Sequence, residues 1–263
     1  MKQITGNTYI TPDGIKPCLR EYLLLKSRWS PYSRFFQIVL KYRPLAVRGE
    51  YSDEIWAKSS LEVMEVLEEC SAHFTITGLD HVRNLPGPAI FAANHMSTLE
   101  TMLLPGLVVP IRPCTFVVKD KLVKAKIWGP VMRSRNPIVV TRKDPRTDLE
   151  AVLTQGSQLV AQGTSVIIFP QSTRTSVFVR SGFNSLAAKL AAKTGAYLVP
   201  VAVKTDYWGN SPILRGFGPV NRNLPVHIEF GEPMKVQGRG KAEHEVCLDF
   251  IEGRLKDWGA AIG

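Results

Sequence analysis

The sequence places a histidine five residues before a carboxylate, directly after an apolar run. Residues 94–101 read Asn-His-Met-Ser-Thr-Leu-Glu-Thr, and the pair is His95 and Glu100. A neutral imidazole can take the proton from a hydroxyl as a new bond forms. A carboxylate hydrogen-bonded to its second nitrogen fixes the tautomer and stabilises the imidazolium. The pair therefore predicts general-base chemistry on an alcohol, with His95 as the base and Glu100 as its partner.

The spacing of this pair restricts where a helix can begin. Five residues of regular helix correspond to about 500° of rotation, so the two side chains would lie about 140° apart on one helix. His95 must therefore lie in a turn, with the helix starting near Ser97 so that Glu100 folds back from the first turn. A second interpretation stays open, because Ser97 and Glu100 also form a capping box in which Glu100 only caps the helix.

A second polar cluster begins 74 residues after His95 and also follows an apolar run. It reads Phe169-Pro170-Gln171-Ser172-Thr173-Arg174-Thr175. The Arg174 guanidinium is a fork of donors suited to a phosphate or a carboxylate, and the hydroxyls of Ser172 and Thr173 can add to it. This cluster predicts an anion-binding loop. The alternative is that Arg174 only forms a structural salt bridge.

Other chemistries find no support in the sequence. It contains neither the Gly-x-Ser-x-Gly turn of serine hydrolases nor a His-Glu-x-x-His metal motif, and no Walker or dinucleotide glycine pattern. The four cysteines are scattered without metal-ligand spacing, which favours free thiols in a reducing compartment.

Five blocks in a fixed order resemble those of the glycerolipid acyltransferases, the family of 1-acylglycerol-3-phosphate acyltransferases. They are His-x4-acid at 95–100, an arginine after a short strand at 137–142, a Phe-Pro-Glu-Gly-Thr-Arg-like run at 169–174, an apolar strand with proline at 199–203, and a turn at 230–233. The sequence departs from the family pattern at Gln171, where the family has Glu, and at Ser172, where it has Gly. Glu100 stands where the family most often has Asp.

The resemblance implies an O-acyltransferase that moves a fatty acyl group from acyl-CoA or acyl-carrier protein to the free hydroxyl of a lysophospholipid. The default acceptor is 1-acylglycerol-3-phosphate. Catalysis would fall to His95 and Glu100, without a metal or any cofactor beyond the acyl donor. The residues implied to bind the acceptor are Arg142, Gln171, Ser172, Thr173 and Arg174. The departures leave open other acceptors, such as an ornithine lipid, a lipid A precursor or another lysolipid. A non-catalytic lipid- or carrier-binding protein on the same fold is a further alternative.

The elements that position these residues alternate between strands and helices. Apolar strands are predicted at 74–77, 89–93, 115–118, 138–140, 165–169, 198–203 and 226–230, with helices at 53–70, 98–108, 147–162, 183–194 and 241–258. Continuous apolar strands between helices indicate a sheet covered on both faces. We expect an α/β fold with a mixed, largely parallel central sheet, and ligands at the carboxyl ends of its strands.

The first fifty residues form a separate predicted unit. Residues 17–45 read as an amphipathic helical pair with a break at Ser30-Pro31, and the aromatic residues Trp29, Tyr32 and Phe35 interleave with basic ones. Such a pattern suits the headgroup level of an anionic membrane, although it also fits a helix pair packed on the core. We expect membrane-surface helices at 1–50 and the catalytic domain at 51–263.

Net charge supports an anionic partner. Residues 1–50 hold nine Lys or Arg against three Asp or Glu, and residues 112–146 hold ten against two. Anionic lipid, acyl-carrier protein and coenzyme A phosphates all suit such segments. Nucleic acid would too, but no binding module accompanies the charge, so none is expected. The longest uncharged stretch, 151–173, contains four glutamines and is not a membrane span. The predicted location is cytoplasmic, peripheral on the inner face of the cell membrane.

Overall fold

The computed structural model describes residues 4–171, 173–211 and 216–263. Its helices are α1 (Leu19–Leu23), α2 (Trp29–Val47), α3 (Asp53–Glu68), α4 (Leu79–Arg83), α5 (Leu99–Val108), α6 (Asp120–Lys124), α7 (Gly129–Arg133), α8 (Pro145–Ala161), α9 (Leu186–Thr194) and α10 (Lys241–Asp257). Its strands are β1 (Tyr9–Ile10), β2 (Phe74–Thr77), β3 (Ala89–Ala93), β4 (Cys114–Lys119), β5 (Ile138–Val140), β6 (Ser165–Ile168), β7 (Val177–Phe178), β8 (Tyr197–Lys204), β9 (Val226–Phe230), β10 (Met234–Lys235) and β11 (Ala261–Ile262).

One sheet dominates the described part of the chain. Its strands lie in the order β1-β2-β9-β8-β3-β6-β4-β5, and β10 pairs with β8. The pairings β2–β9, β8–β3, β3–β6, β6–β4 and β4–β5 are parallel, whereas β8–β9, β1–β2 and β10–β8 are antiparallel. The prediction of a mixed, largely parallel sheet is therefore confirmed.

The central strands are buried on both faces, which explains their apolar sequences. All five residues of β3 are buried, and alternate ones point to opposite sides. Ala89, Phe91 and Ala93 join a core that includes side chains of α2, α3 and α5. Ile90 and Ala92 join a second core that includes α8, α9 and α10. The protein thus has three layers, with β3 in the middle of the sheet.

The helix that follows β3 is held unusually close to α3. Gly106 in α5 faces Ser60 of α3, and a Cβ atom at position 106 would lie 2.8 Å from the Ser60 hydroxyl. That hydroxyl accepts a hydrogen bond from the Gly106 amide (2.7 Å) and reaches the Met102 carbonyl (2.5 Å). It therefore sits between two groups of α5 that are four residues apart, next to Pro105, which lacks an amide hydrogen.

The N-terminal helices break at a different place from the one predicted. The interruption lies between α1 and α2, where Leu25 and Lys26 have φ of 48° and 51°. Ser30 and Pro31 lie instead in the first turn of α2. Proline is tolerated there because an amide in the first turn has no partner within the helix and the fixed φ suits the helix.

Helix α2 belongs to the same core as the sheet. Tyr32 and Phe35 are 2% and 5% exposed, so two of the aromatic side chains predicted to face a membrane are buried instead. Leu19, Leu23, Leu25 and Trp29 remain 54–89% exposed. Among the described residues, no helix is long and apolar enough to cross a membrane. The boundary at residue 50 stays a prediction.

Candidate active site

The carboxyl ends of the parallel strands meet at one edge of the sheet, and the predicted pair lies at this edge. His95 follows β3 by two residues in the turn 94–98, and α5 begins at Leu99. Glu100 is in the first turn of α5, where it folds back so that its Oε1 lies 2.7 Å from His95 Nδ1. The arrangement follows the geometry that the spacing of the two residues required.

The Glu100 carboxylate is fully buried and surrounded by donors. Its Oε1 also accepts hydrogen bonds from the backbone amides of Met96 (2.8 Å) and Ser97 (2.9 Å). Its Oε2 accepts from the hydroxyl of Thr205 (2.6 Å). Burial alone would raise the pKa of Glu100, but the hydrogen bonds and charge of His95 and the hydrogen bond from Thr205 outweigh it and hold the pKa below its ordinary value. The group is therefore an anion at neutral pH.

Glu100 makes the contacts that both interpretations of the sequence require. It accepts the Ser97 amide, as a capping residue does, while the Ser97 hydroxyl accepts from the Leu99 amide at the start of α5 (3.0 Å). The same carboxylate meets the imidazole. Capping and contact with His95 therefore use the same oxygen and do not exclude each other.

The imidazole of His95 is fixed from two further sides. Its ring stacks on Phe169, with centroids 4.3 Å apart, and its side chain is 16% exposed. Its backbone amide donates to Gln171 Oε1 (2.6 Å), and its carbonyl accepts from the Thr175 amide (3.0 Å). Within the described ranges, no group hydrogen-bonds to Nε2. Because Nδ1 contacts Glu100, Nε2 is the ring nitrogen that the described residues leave open.

The Phe169–Thr175 loop lies against the turn that carries His95. Gln171 is 5% exposed, and its Oε1 accepts the His95 amide and so supports the His95 backbone. Its predicted contact with the acceptor stays a prediction. Thr173 is exposed. The Arg174 guanidinium donates to the Thr98 hydroxyl, which places it beside the start of α5. The prediction for Ser172 lies outside the described residues.

Arg142 is not brought together with the other predicted residues. It follows β5, the edge strand, which is separated from β3 by β6 and β4. Three strand spacings correspond to about 14 Å. Arg142 has φ of 58°, and its amide donates to Asp148 Oδ2 (2.6 Å), so its loop is anchored to α8. It lies at the same edge of the sheet as His95, the edge formed by the carboxyl ends of the parallel strands, but well to one side of it.

Two cavities flank the sheet without including His95. One, of about 390 Å³, lies at the amino ends of β3 and β8 and includes Tyr197 and Lys235. The other, of about 280 Å³, lies between α2 and the segment after α6, and its walls include Trp29, Tyr32, Trp128 and Phe217. Among the residues that the structure describes, no group of three or more His, Cys, Asp or Glu side chains has the arrangement of a metal site.

Sequence reasoning missed Thr205 and Asn94. Thr205 is 0% exposed and contacts Glu100 from the end of β8. Asn94 bridges to β8 by accepting from the Val203 amide and donating to its carbonyl, both at 2.8 Å. The available signal was position, because each is a polar residue immediately after an apolar strand, where parallel strands bring distant residues to one edge.

Comparison with known proteins gives a consistent family. The acyltransferase family model matches residues 73–204. The chain is 25% identical over 223 residues to the 1-acyl-sn-glycerol-3-phosphate acyltransferase of Pseudomonas aeruginosa, which covers 83% of this chain and 80% of that protein. It is 24% identical over 168 residues to the lyso-ornithine lipid O-acyltransferase of the same organism, covering 59% and 63%.

The fold is also that of a solved acyltransferase. The crystal structure of the 1-acyl-sn-glycerophosphate acyltransferase PlsC from Thermotoga maritima matches with a TM-score of 0.67 and 18% identity, over 91% of this chain and 97% of that one. The resemblance predicted from the five sequence blocks is confirmed, and the chain belongs to the acyltransferase family, among its glycerolipid acyltransferases.

Proposed function

We propose that the protein transfers a fatty acyl group from acyl-CoA or acyl-carrier protein to the free hydroxyl of a lysophospholipid. The preferred acceptor in this proposal is 1-acylglycerol-3-phosphate, the acceptor type named for the Pseudomonas aeruginosa relative. The observation that supports it most is the 2.7 Å contact between His95 Nδ1 and a fully buried Glu100.

The proposed reaction uses the two nitrogens of His95 differently. Nε2 takes the proton of the acceptor hydroxyl while its oxygen attacks the thioester carbonyl carbon. The C–S bond then breaks, the thiolate leaves and takes the proton back from the imidazolium, and the ester is formed. Glu100 holds Nδ1–H throughout and stabilises the positive charge that the ring carries between the two proton transfers.

The acceptor phosphate is assigned to the loop beside His95. Arg174 lies at the start of α5 through its contact with Thr98, and the Thr173 hydroxyl is exposed next to it. A guanidinium near a helix start suits a phosphate group. Arg142 then serves as a more distant anion contact, at the other side of the catalytic edge. Gln171 contributes by supporting His95.

A lyso-ornithine lipid is the second candidate acceptor. The similarity to a lyso-ornithine lipid O-acyltransferase favours it. An ornithine headgroup carries an amine and a carboxylate instead of a phosphate, so the charge of the binding loop would decide between the two acceptors.

The test is turnover with a matched pair of histidine variants. Purified protein is incubated with radiolabelled acyl-CoA or acyl-carrier protein and with lysophosphatidic acid, other lysophospholipids or lyso-ornithine lipid. His95→Ala should lower kcat by at least about 1,000-fold. His73→Ala, a change at an exposed histidine before β2, should leave kcat unchanged. Normal activity in His95→Ala would refute the role of His95, and the labelled product identifies the acceptor and the donor.

We also propose that α1 and the loop after it lie on the inner face of the cell membrane. Leu19 and Leu23 are 73% and 71% exposed and lie four residues apart, on one face of α1. Leu25 (89%) and Trp29 (54%) extend this apolar surface, and Arg28 lies beside Trp29. Exposed leucine and tryptophan next to cations suit an anionic bilayer surface.

Vesicle binding tests the membrane proposal. The double change Leu19→Ser with Leu23→Ser should weaken binding to phosphatidylglycerol vesicles about tenfold or more, because two side chains lose their apolar contact with lipid. Val246→Ser in α10, where Val246 is 49% exposed, is the matched control and should bind normally. Equal binding of all three proteins would place the membrane surface elsewhere.

A further inference from the structure

Thr205 is a buried hydroxyl in contact with the carboxylate of the His95–Glu100 pair. It follows β8 directly and is 0% exposed. Its Oγ1 lies 2.6 Å from Glu100 Oε2 and 2.9 Å from Ser97 Oγ. A hydroxyl has one hydrogen to donate, and the shorter contact to a carboxylate takes it. The Leu99 amide therefore donates to Ser97, and Thr205 donates to Glu100. The Ser97 hydroxyl lies within hydrogen-bonding distance of both Thr205 Oγ1 (2.9 Å) and Glu100 Oε2 (3.0 Å).

The two oxygens of Glu100 have different partners. Oε1 receives His95 Nδ1 and the amides of Met96 and Ser97. Oε2 receives Thr205 at 2.6 Å, with longer contacts to the Ser97 hydroxyl at 3.0 Å and the Ser97 amide at 3.1 Å. Rotation of the carboxylate would remove Oε1 from the imidazole. The Thr205 hydroxyl opposes this rotation because it holds the other oxygen.

The backbone around Thr205 is itself fixed to the turn that carries His95. The Thr205 amide donates to the Met96 sulfur (3.3 Å). Two residues before Met96 and Thr205, the Asn94 side chain hydrogen-bonds both the backbone amide and the backbone carbonyl of Val203. The end of β8 is thus attached to the end of β3 at two points, and the Thr205 hydroxyl arrives beside Glu100 with little freedom.

We propose that Thr205 is a positioning residue for acyl transfer, and that it acts only by orienting Glu100 toward His95. This inference rests on the proposed function. It assigns no contact between Thr205 and substrate. Loss of the hydroxyl removes the shortest contact to Oε2 and leaves the two longer ones from Ser97. The carboxylate then turns more easily, so the chemical step slows while substrate binding is retained.

The experiment compares three threonine variants in steady-state turnover. Thr205→Val keeps the shape and removes the hydroxyl, and it should lower kcat at least tenfold, with the KM values for donor and acceptor changed by less than about threefold. Thr205→Ser restores the hydroxyl and should recover kcat to within about threefold of the wild type. Thr11→Val is the matched control, because the Thr11 hydroxyl donates to Glu68, another buried carboxylate, at 2.9 Å. It should leave kcat unchanged.

A spectroscopic measurement separates positioning from stability. A proton held between an imidazole nitrogen and a carboxylate gives a downfield proton NMR signal, which His95→Ala identifies by its disappearance. The signal should shift or broaden in Thr205→Val and stay in place in Thr11→Val. If Thr205→Val does not fold, Thr205→Ala is measured in its place.

The possible outcomes distinguish this inference from the function on which it rests. Suppose that His95→Ala is inactive but Thr205→Val has the wild-type kcat and an unmoved NMR signal. This result would overturn the role of Thr205 and leave the proposed function in place. A serine variant as slow as the valine variant would also overturn it, since the hydroxyl would not be the cause. An active His95→Ala would overturn the proposed function itself.

Discussion

At the scale of single residues, the charge of Glu100 can be separated from its capping role. Glu100→Gln keeps a side-chain oxygen that can accept hydrogen bonds from the backbone amides of Met96 and Ser97. The side chain that contacts His95 is then uncharged. A neutral partner cannot stabilise an imidazolium, so kcat should fall by about 100-fold or more. Turnover measured beside Glu68→Gln, a change at a buried glutamate away from the site, provides the check. A Glu100→Gln enzyme with wild-type kcat would leave Glu100 as a cap only.

The Arg174 guanidinium lies close to the backbone of Gly216. The glycine has φ of +94°, and a Cβ atom there would lie 2.6 Å from Thr98 Oγ1 and 2.8 Å from Arg174 Nη1. Gly216→Ala should therefore displace the guanidinium and raise the KM for a phosphate-bearing acceptor about tenfold. Gly163→Ala is the control, since Gly163 has φ of +85° but open space around it. Equal KM values in both variants would remove Arg174 from acceptor binding.

Single residues also show which contacts of the site could be predicted from the sequence. The spacing of His95 and Glu100 was enough to predict a turn followed by a fold-back from the first helical turn, because the contact is local. Gln171 and Thr205 reach His95 and Glu100 from 76 and 105 positions away. Their roles depend on which strands are neighbours in the sheet, and no periodicity in one segment reports that.

At the scale of elements, long periodic segments were predictable and short ones were not. Helices α3, α5, α8 and α10 and the buried strands lie within a few residues of their predicted positions. Elements of two to five residues, such as α4, α6 and β7, are shorter than the period that would reveal them. The break near Pro31 was misplaced because proline in the first turn of a helix and proline at a break give the same local sequence signal.

Helix α5 offers a stability prediction at this scale. The Ser60 hydroxyl bonds the Gly106 amide and the carbonyls of Met102 and Leu103, so Ser60→Ala removes these hydrogen bonds from a buried contact between α3 and α5. The free energy of unfolding should fall by about 1 to 3 kcal/mol, measured by urea denaturation. Ser157→Ala is the control, because the Ser157 hydroxyl bonds only the Leu153 carbonyl of its own helix. A loss no larger than that of the control would show that α5 does not depend on Ser60.

At the scale of the whole molecule, the Lys and Arg side chains of the basic segment 112–146 fall into two groups. Arg112 donates to the carbonyls of Val82, Leu85 and Gly87, and Arg135 pairs with Asp53 (2.6 Å), so these two cations hold the fold together. Lys121, Lys126 and Lys143 are exposed on the segments that follow β4 and β5. The proposed anionic partner would meet exposed cations of this second group.

A buried ion pair connects the N-terminal helices to the rest of the protein. Glu21 of α1 is 0% exposed and is bonded by Arg222 Nε (2.8 Å) and Nη2 (2.9 Å), after β8. Burial alone would raise the pKa of Glu21, but the hydrogen bonds from Arg222, Ser30 and Cys70 hold it below its ordinary value of 4.5. The pKa of Glu100 is lowered in the same sense. Both carboxylates are therefore more easily kept ionised in the folded chain than in the unfolded one.

Stability should consequently depend on pH in the acid range. The contribution of a carboxylate with a lowered pKa is complete above its unfolded-state pKa of about 4.5, and it is lost as pH falls below that value and through the folded-state pKa. Glu21→Gln should cost about 3 kcal/mol of unfolding free energy at pH 7, because it leaves Arg222 without its anion. The difference in unfolding free energy from the wild type should narrow as pH falls below 4.5, since the wild-type Glu21 then becomes neutral as well.

Urea denaturation of both proteins between pH 7 and pH 3 measures this difference. The control is Glu50→Gln in the exposed Arg48–Glu50 pair, whose unfolding free energy should follow that of the wild type throughout. A constant gap between Glu21→Gln and the wild type across this range would mean that the ion pair contributes through its shape and packing and not through its charge.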